Sequence, residues 1–166
     1  MGKIEAAVLD AGPLIHLNEA GTLSALGVIS KRCVTPEVAD ETRDPSPLKL
    51  VRIIPLDAPR KDYSKLLMER DEIDLGEATS IALCRKERIR LFFTDDLDAR
   101  DCAKREGLSA NGTLAIILRN LREGLMSQEQ TMQTLDNLHN LSSLYITSDL
   151  ISYAKKEITR WSKGKR

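Results

Sequence analysis

Arg90-Leu91-Phe92-Phe93-Thr94-Asp95-Asp96-Leu97 is the stretch that decides the fold class. Its apolar run has no polar alternation, as expected of a strand covered on both faces, and such strands belong to parallel sheets. The run stops at two acids, and a helix is expected to follow to about Glu106. Ala6-Ala7-Val8-Leu9 has the same character near the start of the chain. It ends at Asp10-Ala11-Gly12-Pro13, where Gly12 can cap and Pro13 fits a first helical turn.

Working outward, Cys33-Val34-Thr35 reads as a second short strand, with Thr35 capping a helix that Pro36 opens. Val51–Leu56 reads as an edge strand, because Pro55 cannot donate to a central ladder. Leu108-Ser109-Ala110 is a short last strand after a helix end at Gly107. Further helices are expected from Pro13 to about Leu26 with a break near Gly21, from Lys61 to Arg70, from Asp74 onward, and over 113–123, 128–140 and 147–161. Asp44-Pro45-Ser46-Pro47 reads as a turn or loop. Strands alternating with helices imply one α/β domain over 1–166, with its core at about 4–123 and C-terminal helices at about 128–161. Its mainly parallel sheet of four or five strands is expected to be covered on both faces.

Composition narrows the classes. The 166 residues are 42% apolar and 30% charged, which is globular rather than disordered. No apolar run approaches the roughly 20 residues of a membrane helix. Met1-Gly2-Lys3-Ile4-Glu5 carries an acid and leads into a strand, unlike a signal peptide, and Ala6 stands where a myristoylation signal wants Ser or Thr. Cys33, Cys84 and Cys102 form no CxxC pair and sit in apolar patterns, so reduced core thiols and a cytoplasmic location are expected. Cys and His never cluster at zinc-ligand spacing. Net charge is zero, so no global positive field advertises nucleic acid, although acidic ligands would mask basic surface.

In an open parallel sheet, ligands bind beyond the carboxyl ends of the strands. Asp10 and the Asp95–Asp96 pair lie at two such ends, Glu41 lies on the helix after the second strand, and Glu77 in the first turn of its own helix. Gathered in one crevice, these carboxylates would raise one another's pKa, and a Mg²⁺ or Mn²⁺ ion would remove that conflict. One or two such ions activate water and stabilise the leaving oxygen in phosphodiester cleavage. That chemistry needs neither His nor Cys, in keeping with a chain that has only His16 and His139. Each acid also has a structural reading. Asp10 can be a turn residue, Asp74 and Glu77 a capping box, Asp96 a helix cap, and Glu41 part of a solvated face.

His16 reads as a core-edge or surface residue. Arg100, Lys104 and Arg105 follow the acidic pair on one helix, where Arg100 and Lys104 can reach substrate phosphates or serve as ordinary surface charge. The tail from Lys155 to Arg166 is basic and contains Trp161, so it reads either as an RNA contact or as a solvated terminus.

Taken in order, these motifs resemble those of PIN-domain proteins. Val8-Leu9-Asp10-Ala11-Gly12-Pro13-Leu14-Ile15 is similar to their opening strand and turn, and Thr35-Pro36-Glu37-Val38-Ala39-Asp40-Glu41 to their second motif. Leu75-Gly76-Glu77-Ala78 and Thr94-Asp95-Asp96-Leu97-Asp98-Ala99-Arg100 resemble the third and fourth. Gly112-Thr113-Leu114-Ala115-Ile116-Ile117 resembles a GTLxIL stretch of one prokaryotic branch. The resemblance covers nearly the whole chain. It implies a three-layer α/β/α sandwich, Mg²⁺- or Mn²⁺-dependent ribonuclease activity and frequent homodimers. Many relatives are the toxin halves of VapBC-type pairs, each held by a small antitoxin protein.

Carried over by motif, the metal ligands are Asp10, Glu41, Glu77 and Asp95 or Asp96. A Thr-x-Asp pattern selects Asp96, whereas the Asp-Asp-x-x-Ala-Arg pattern of the branch stresses Asp95. Gly12 stands where many members carry a hydroxyl, and Glu77 where many carry Asp. Two rival readings remain. A receiver-type phosphorylated domain would place its acidic pair after the first strand, not late in the chain. A PIN-like module with weak or absent catalysis would bind RNA or a protein partner.

Overall fold

The computed structural model describes residues 2–164, so Met1 and the end of the basic tail at Lys165 and Arg166 lie outside the described residues. Five strands form one parallel sheet: β1 (Ile4–Leu9), β2 (Ile29–Val34), β3 (Arg52–Ile53), β4 (Leu91–Phe93) and β5 (Ser109–Asn111), in the order β3-β2-β1-β4-β5. Between and after them run α1 (Ala11–Glu19), α2 (Pro36–Thr42), α3 (Pro45–Leu48), α4 (Ala58–Asp71), α5 (Leu75–Glu87), α6 (Leu97–Arg105), α7 (Thr113–Arg122), α8 (Gln128–Leu141) and α9 (Ser148–Gly164).

The strand pleat sorts the core into two layers. Ala7, Leu9, Val34 and Phe93 point into one apolar cluster with α1, α7, α8 and α9, whereas Val8, Cys33, Phe92 and Ala110 point into another with α4, α5 and α6. Successive residues thus bury on opposite faces, which explains why Ala7-Val8-Leu9 and Phe92-Phe93 have no polar alternation. The result is the expected α/β/α sandwich. Helix α2 packs on both α1 and α5 and so bridges the two helical layers. All three cysteines are buried free thiols. Among the described residues, no helix is long and apolar enough to cross a membrane.

Several local expectations are corrected. The cap of α1 is Asp10, not Gly12, because the Asp10 carboxylate accepts the Ala11 N–H at 2.9 Å. The expected break near Gly21 is present: α1 stops at Glu19, and Gly21, at φ +68°, turns the chain into a 3-10 rather than α-helical stretch over Leu23–Val28. Strand β2 begins four residues earlier than Cys33, at Ile29, since the Arg32 guanidinium folds back onto the Leu26, Ile29 and Leu50 carbonyls. Pro45–Leu48 is a short helix rather than a loop, capped by the Asp44 side chain. Helix α4 starts at Ala58 because Asp57 caps it and Pro59 suits its first turn. The third strand is confined to Arg52–Ile53 at the sheet edge.

Candidate active site at the strand ends

The strand order reverses between β1 and β4, with β2 and β3 built outward on one side and β5 on the other. That switch point opens a crevice at the carboxyl ends of the strands. Asp10 leaves β1 and Asp95–Asp96 leave β4 on its two sides. The walls are joined by the Asp10 N–H, which donates to the Phe93 carbonyl at 2.9 Å. The buried Thr94 hydroxyl donates to Asp10 Oδ2, also at 2.9 Å.

Asp10 is only 6% exposed. Burial pushes its pKa up to about 6 against the Ala11 and Thr94 hydrogen bonds, and the charges of Asp74 and Asp95 add to the rise. Glu77 is equally buried in the first turn of α5. Its Oε2 accepts the Asp74 N–H at 2.9 Å while its own N–H donates to Asp74 Oδ1, so the capping box is real. Burial nevertheless drives its pKa up to about 8, with Asp74, Asp10 and Asp96 contributing further repulsion. A structural role and membership of an acidic cluster thus coexist in one side chain.

Glu41 lies in the last turn of α2 and is exposed as a residue, yet its carboxylate is pressed against the Gly76 backbone. A Cβ at Gly76 would overlap that carboxylate, so glycine is what leaves room for the Glu41 carboxyl group against α5. Partial desolvation there, together with Asp74 and Asp10, pushes the Glu41 pKa up to about 7. Asp74 therefore acts on Asp10, Glu41 and Glu77 alike. Sequence reasoning saw it only as a cap, and its spacing alone carries no other signal.

The acidic pair divides. Asp96 caps α6, its Oδ1 accepting the Ala99 N–H at 2.9 Å, and its side of the crevice faces Glu77. Asp95 turns instead toward His16 Nδ1 at 2.7 Å and toward Thr113, whose N–H and hydroxyl donate to it at 2.7 and 2.6 Å. Burial opposes its ionisation, but the His16 and Thr113 hydrogen bonds prevail and hold Asp95 below the usual carboxylate range. His16 and Thr113 were not read as site residues, since their partner lies 79 and 18 positions away. Arg100 is half-buried, its Nε and Nη2 donating to the Thr94 and Asp95 carbonyls at 3.1 and 3.2 Å, while Lys104 is exposed one turn further on.

The donor set is all oxygen, the ligand type hard divalent cations prefer, and burial with mutual repulsion makes three of its carboxyls hold protons more tightly than usual. Among the described residues, no group of three or more His, Cys, Asp or Glu side chains stands close enough together to hold a metal ion.

A parallel sheet with acids gathered at its switch point defines an α/β sandwich class with an acidic crevice at the strand ends. A family model described as a PIN domain matches residues 6–160, and the chain belongs to that family. PIN domains are generally nucleases that act on nucleic acids and use divalent metals. No curated protein matches the chain.

Proposed function

We propose that the chain is an Mg²⁺- or Mn²⁺-dependent endoribonuclease. The observation that carries the reading is the convergence of Asp10, Glu41 and Glu77, from three separate elements, into one crevice where their pKa values reach about 6, 7 and 8. Asp10, Glu41, Glu77 and one of Asp95 or Asp96 are the residues that would hold the cation. When bound, it supplies the positive charge that activates water and stabilises the leaving oxygen of a phosphodiester. The chain's own residues prepare that site. The Ala11 N–H and Thr94 hydroxyl fix Asp10, and the Asp74 N–H fixes one oxygen of Glu77. Arg100 and Lys104 are the cations assigned to the RNA phosphates. Nη1 of Arg100 is assigned to that purpose, since its bonds to the turn after β4 use Nε and Nη2.

The test is cleavage of single-stranded RNA by the purified full chain. Cutting in Mg²⁺ or Mn²⁺ that stops with EDTA is expected, and absence of cutting in either ion sinks the enzyme reading. As the toxin half of a toxin–antitoxin pair, a homodimer restrained by a small antitoxin, the chain is expected to arrest growth when expressed alone. Unimpeded growth would move it to RNA processing.

Gly76→Ala probes the cluster without touching an acid. The added methyl displaces Glu41, which is the far end of a flexible side chain, so stability should hold or rise by up to about 1 kcal/mol through helix propensity. Cleavage should fall roughly tenfold, as for loss of a partner around a metal site. Unchanged kinetics would remove Glu41 from the working cluster.

A further inference from the structure

Asp95 is engaged in a way that the other acids of the crevice are not. Its Oδ1 accepts the Thr113 N–H at 2.7 Å, and its Oδ2 accepts both the Thr113 hydroxyl at 2.6 Å and His16 Nδ1 at 2.7 Å. An ionised carboxylate is acceptor-only, so His16 carries its proton on Nδ1 here. The His16 and Asp95 side chains are 14% and 9% exposed, so the bond is shielded from water. The Oδ1 side is walled as well. A Cβ at Gly112 would stand 2.8 Å from Asp95 Oδ1 and 3.1 Å from Arg100 Nη2, so the Gly112 backbone and the Arg100 side chain flank the Oδ1 side. Asp96, by contrast, is exposed and, among the described residues, accepts a hydrogen bond on Oδ1 alone.

The three partners come from three elements. His16 belongs to α1, Thr113 opens α7, and Asp95 sits in the turn between β4 and α6. Asp95 is flanked by Thr94, whose hydroxyl holds Asp10, and by Asp96, whose N–H donates to that same hydroxyl at 3.2 Å. Its own carbonyl accepts from Arg100. Fixing the Asp95 side chain therefore fixes the backbone that aims the neighbouring acids.

We propose that His16, Thr113 and Asp95 form a latch joining α1, α7 and the β4–α6 turn, with His16 a positioning residue for the acidic cluster and Asp95 not a cation ligand. The latch stands on its own geometry. Only its effect on cation affinity rests on the nuclease reading.

The experiment uses the full chain, titrated calorimetrically with Mn²⁺ alone and melted without metal. Asp96→Asn keeps a good cap and should raise the Mn²⁺ Kd by about 10–100-fold or more with Tm nearly unchanged. Asp95→Asn and His16→Ala should each lower Tm by roughly 3–8 °C, as for loss of a charge-assisted hydrogen bond in a domain of this size, with Mn²⁺ affinity weakened by no more than about tenfold. The double variant should melt no lower than the worse single one, because both remove the same contact.

His16→Asn supplies the readout that general packing would not move. Its amide nitrogen occupies the place of Nδ1, so it should recover most of the Tm and the Mn²⁺ affinity lost in His16→Ala. Three results would overturn the latch: Asp95→Asn abolishing Mn²⁺ binding at unchanged Tm, additive Tm losses in the double variant, or His16→Asn no better than His16→Ala. If the unsubstituted chain takes up no Mn²⁺, the nuclease reading fails instead. The melting arms then decide the latch, which non-additive losses uphold and additive losses overturn.

Discussion

Asp10→Asn is expected to cut RNA at least about a thousandfold more slowly while folding as the parent does. The separation of the two effects follows from what the side chain touches. Its oxygens take the Ala11 N–H and the Thr94 hydroxyl, and it caps α1. Asparagine is an equally good cap, and its carbonyl can keep the Ala11 bond. Its amide faces Thr94 Oγ1, a hydroxyl able to turn from donor to acceptor. What is lost is a negative charge held 6% exposed among Glu41, Asp74 and Glu77, where the proposed cation would be bound. Loss of about 4 kcal/mol of transition-state stabilisation corresponds to a thousandfold in rate. Removing a charge whose neighbours repel it should leave the metal-free protein as stable as the parent or up to a few kcal/mol more so at pH 8. Single-turnover rates and a melting curve on the same preparation check both halves. Activity within tenfold of the parent would falsify the central role given to Asp10. A collapsed melting curve would show its role to be structural.

The parts legible in the sequence are those whose cause is local. Val8, Phe92 and Phe93 announce strands buried on both faces because the pleat sends neighbours into different cores, and both cores are apolar. Thr35-Pro36 and Asp74-x-x-Glu77 announce helix starts because a cap needs only nearby residues, and both caps are present. The strand-end positions of Asp10 and the Asp95–Asp96 pair follow from those strands, and the sheet order then sets them across one switch point. Lys31 and Arg32 hid the first half of β2, since arginine's polarity is satisfied there by distant carbonyls. His16 looked incidental because its partner enters the chain 79 residues later. Asp74 looked like a cap and nothing more, although its charge is felt by three other acids. Local motifs find the acids; only the fold tells which of them compete for one space.

That competition makes stability a reporter of the site, and metal-free protein is expected to melt lower as pH rises from 5.5 to 8.5. The pKa of Asp10 goes from an ordinary 3.8 to about 6 on folding, and that of Glu77 from 4.5 to about 8. Both are raised, so between these values the folded chain binds more protons than the unfolded one. Their contribution is fully present below about pH 4 and is lost as pH climbs through about 6 for Asp10 and 8 for Glu77. The loss is on the order of a few kcal/mol across the window, or roughly 10 °C in Tm. Glu41 is too exposed to add much. Asp71, Asp95 and Glu106 are shifted downward, so what they contribute is lost only under stronger acid, outside this window. Glu77→Gln should flatten most of the slope, because it removes the group with the highest pKa of the cluster. Mn²⁺ at a hundred times its Kd should return about 2.7 kcal/mol at pH 8 and much less at pH 5.5, where protons compete for the same oxygens. A Tm that holds steady or rises with pH, in parent and Glu77→Gln alike, would mean that these carboxylates are not forced together. The cation would then have no electrostatic conflict to relieve.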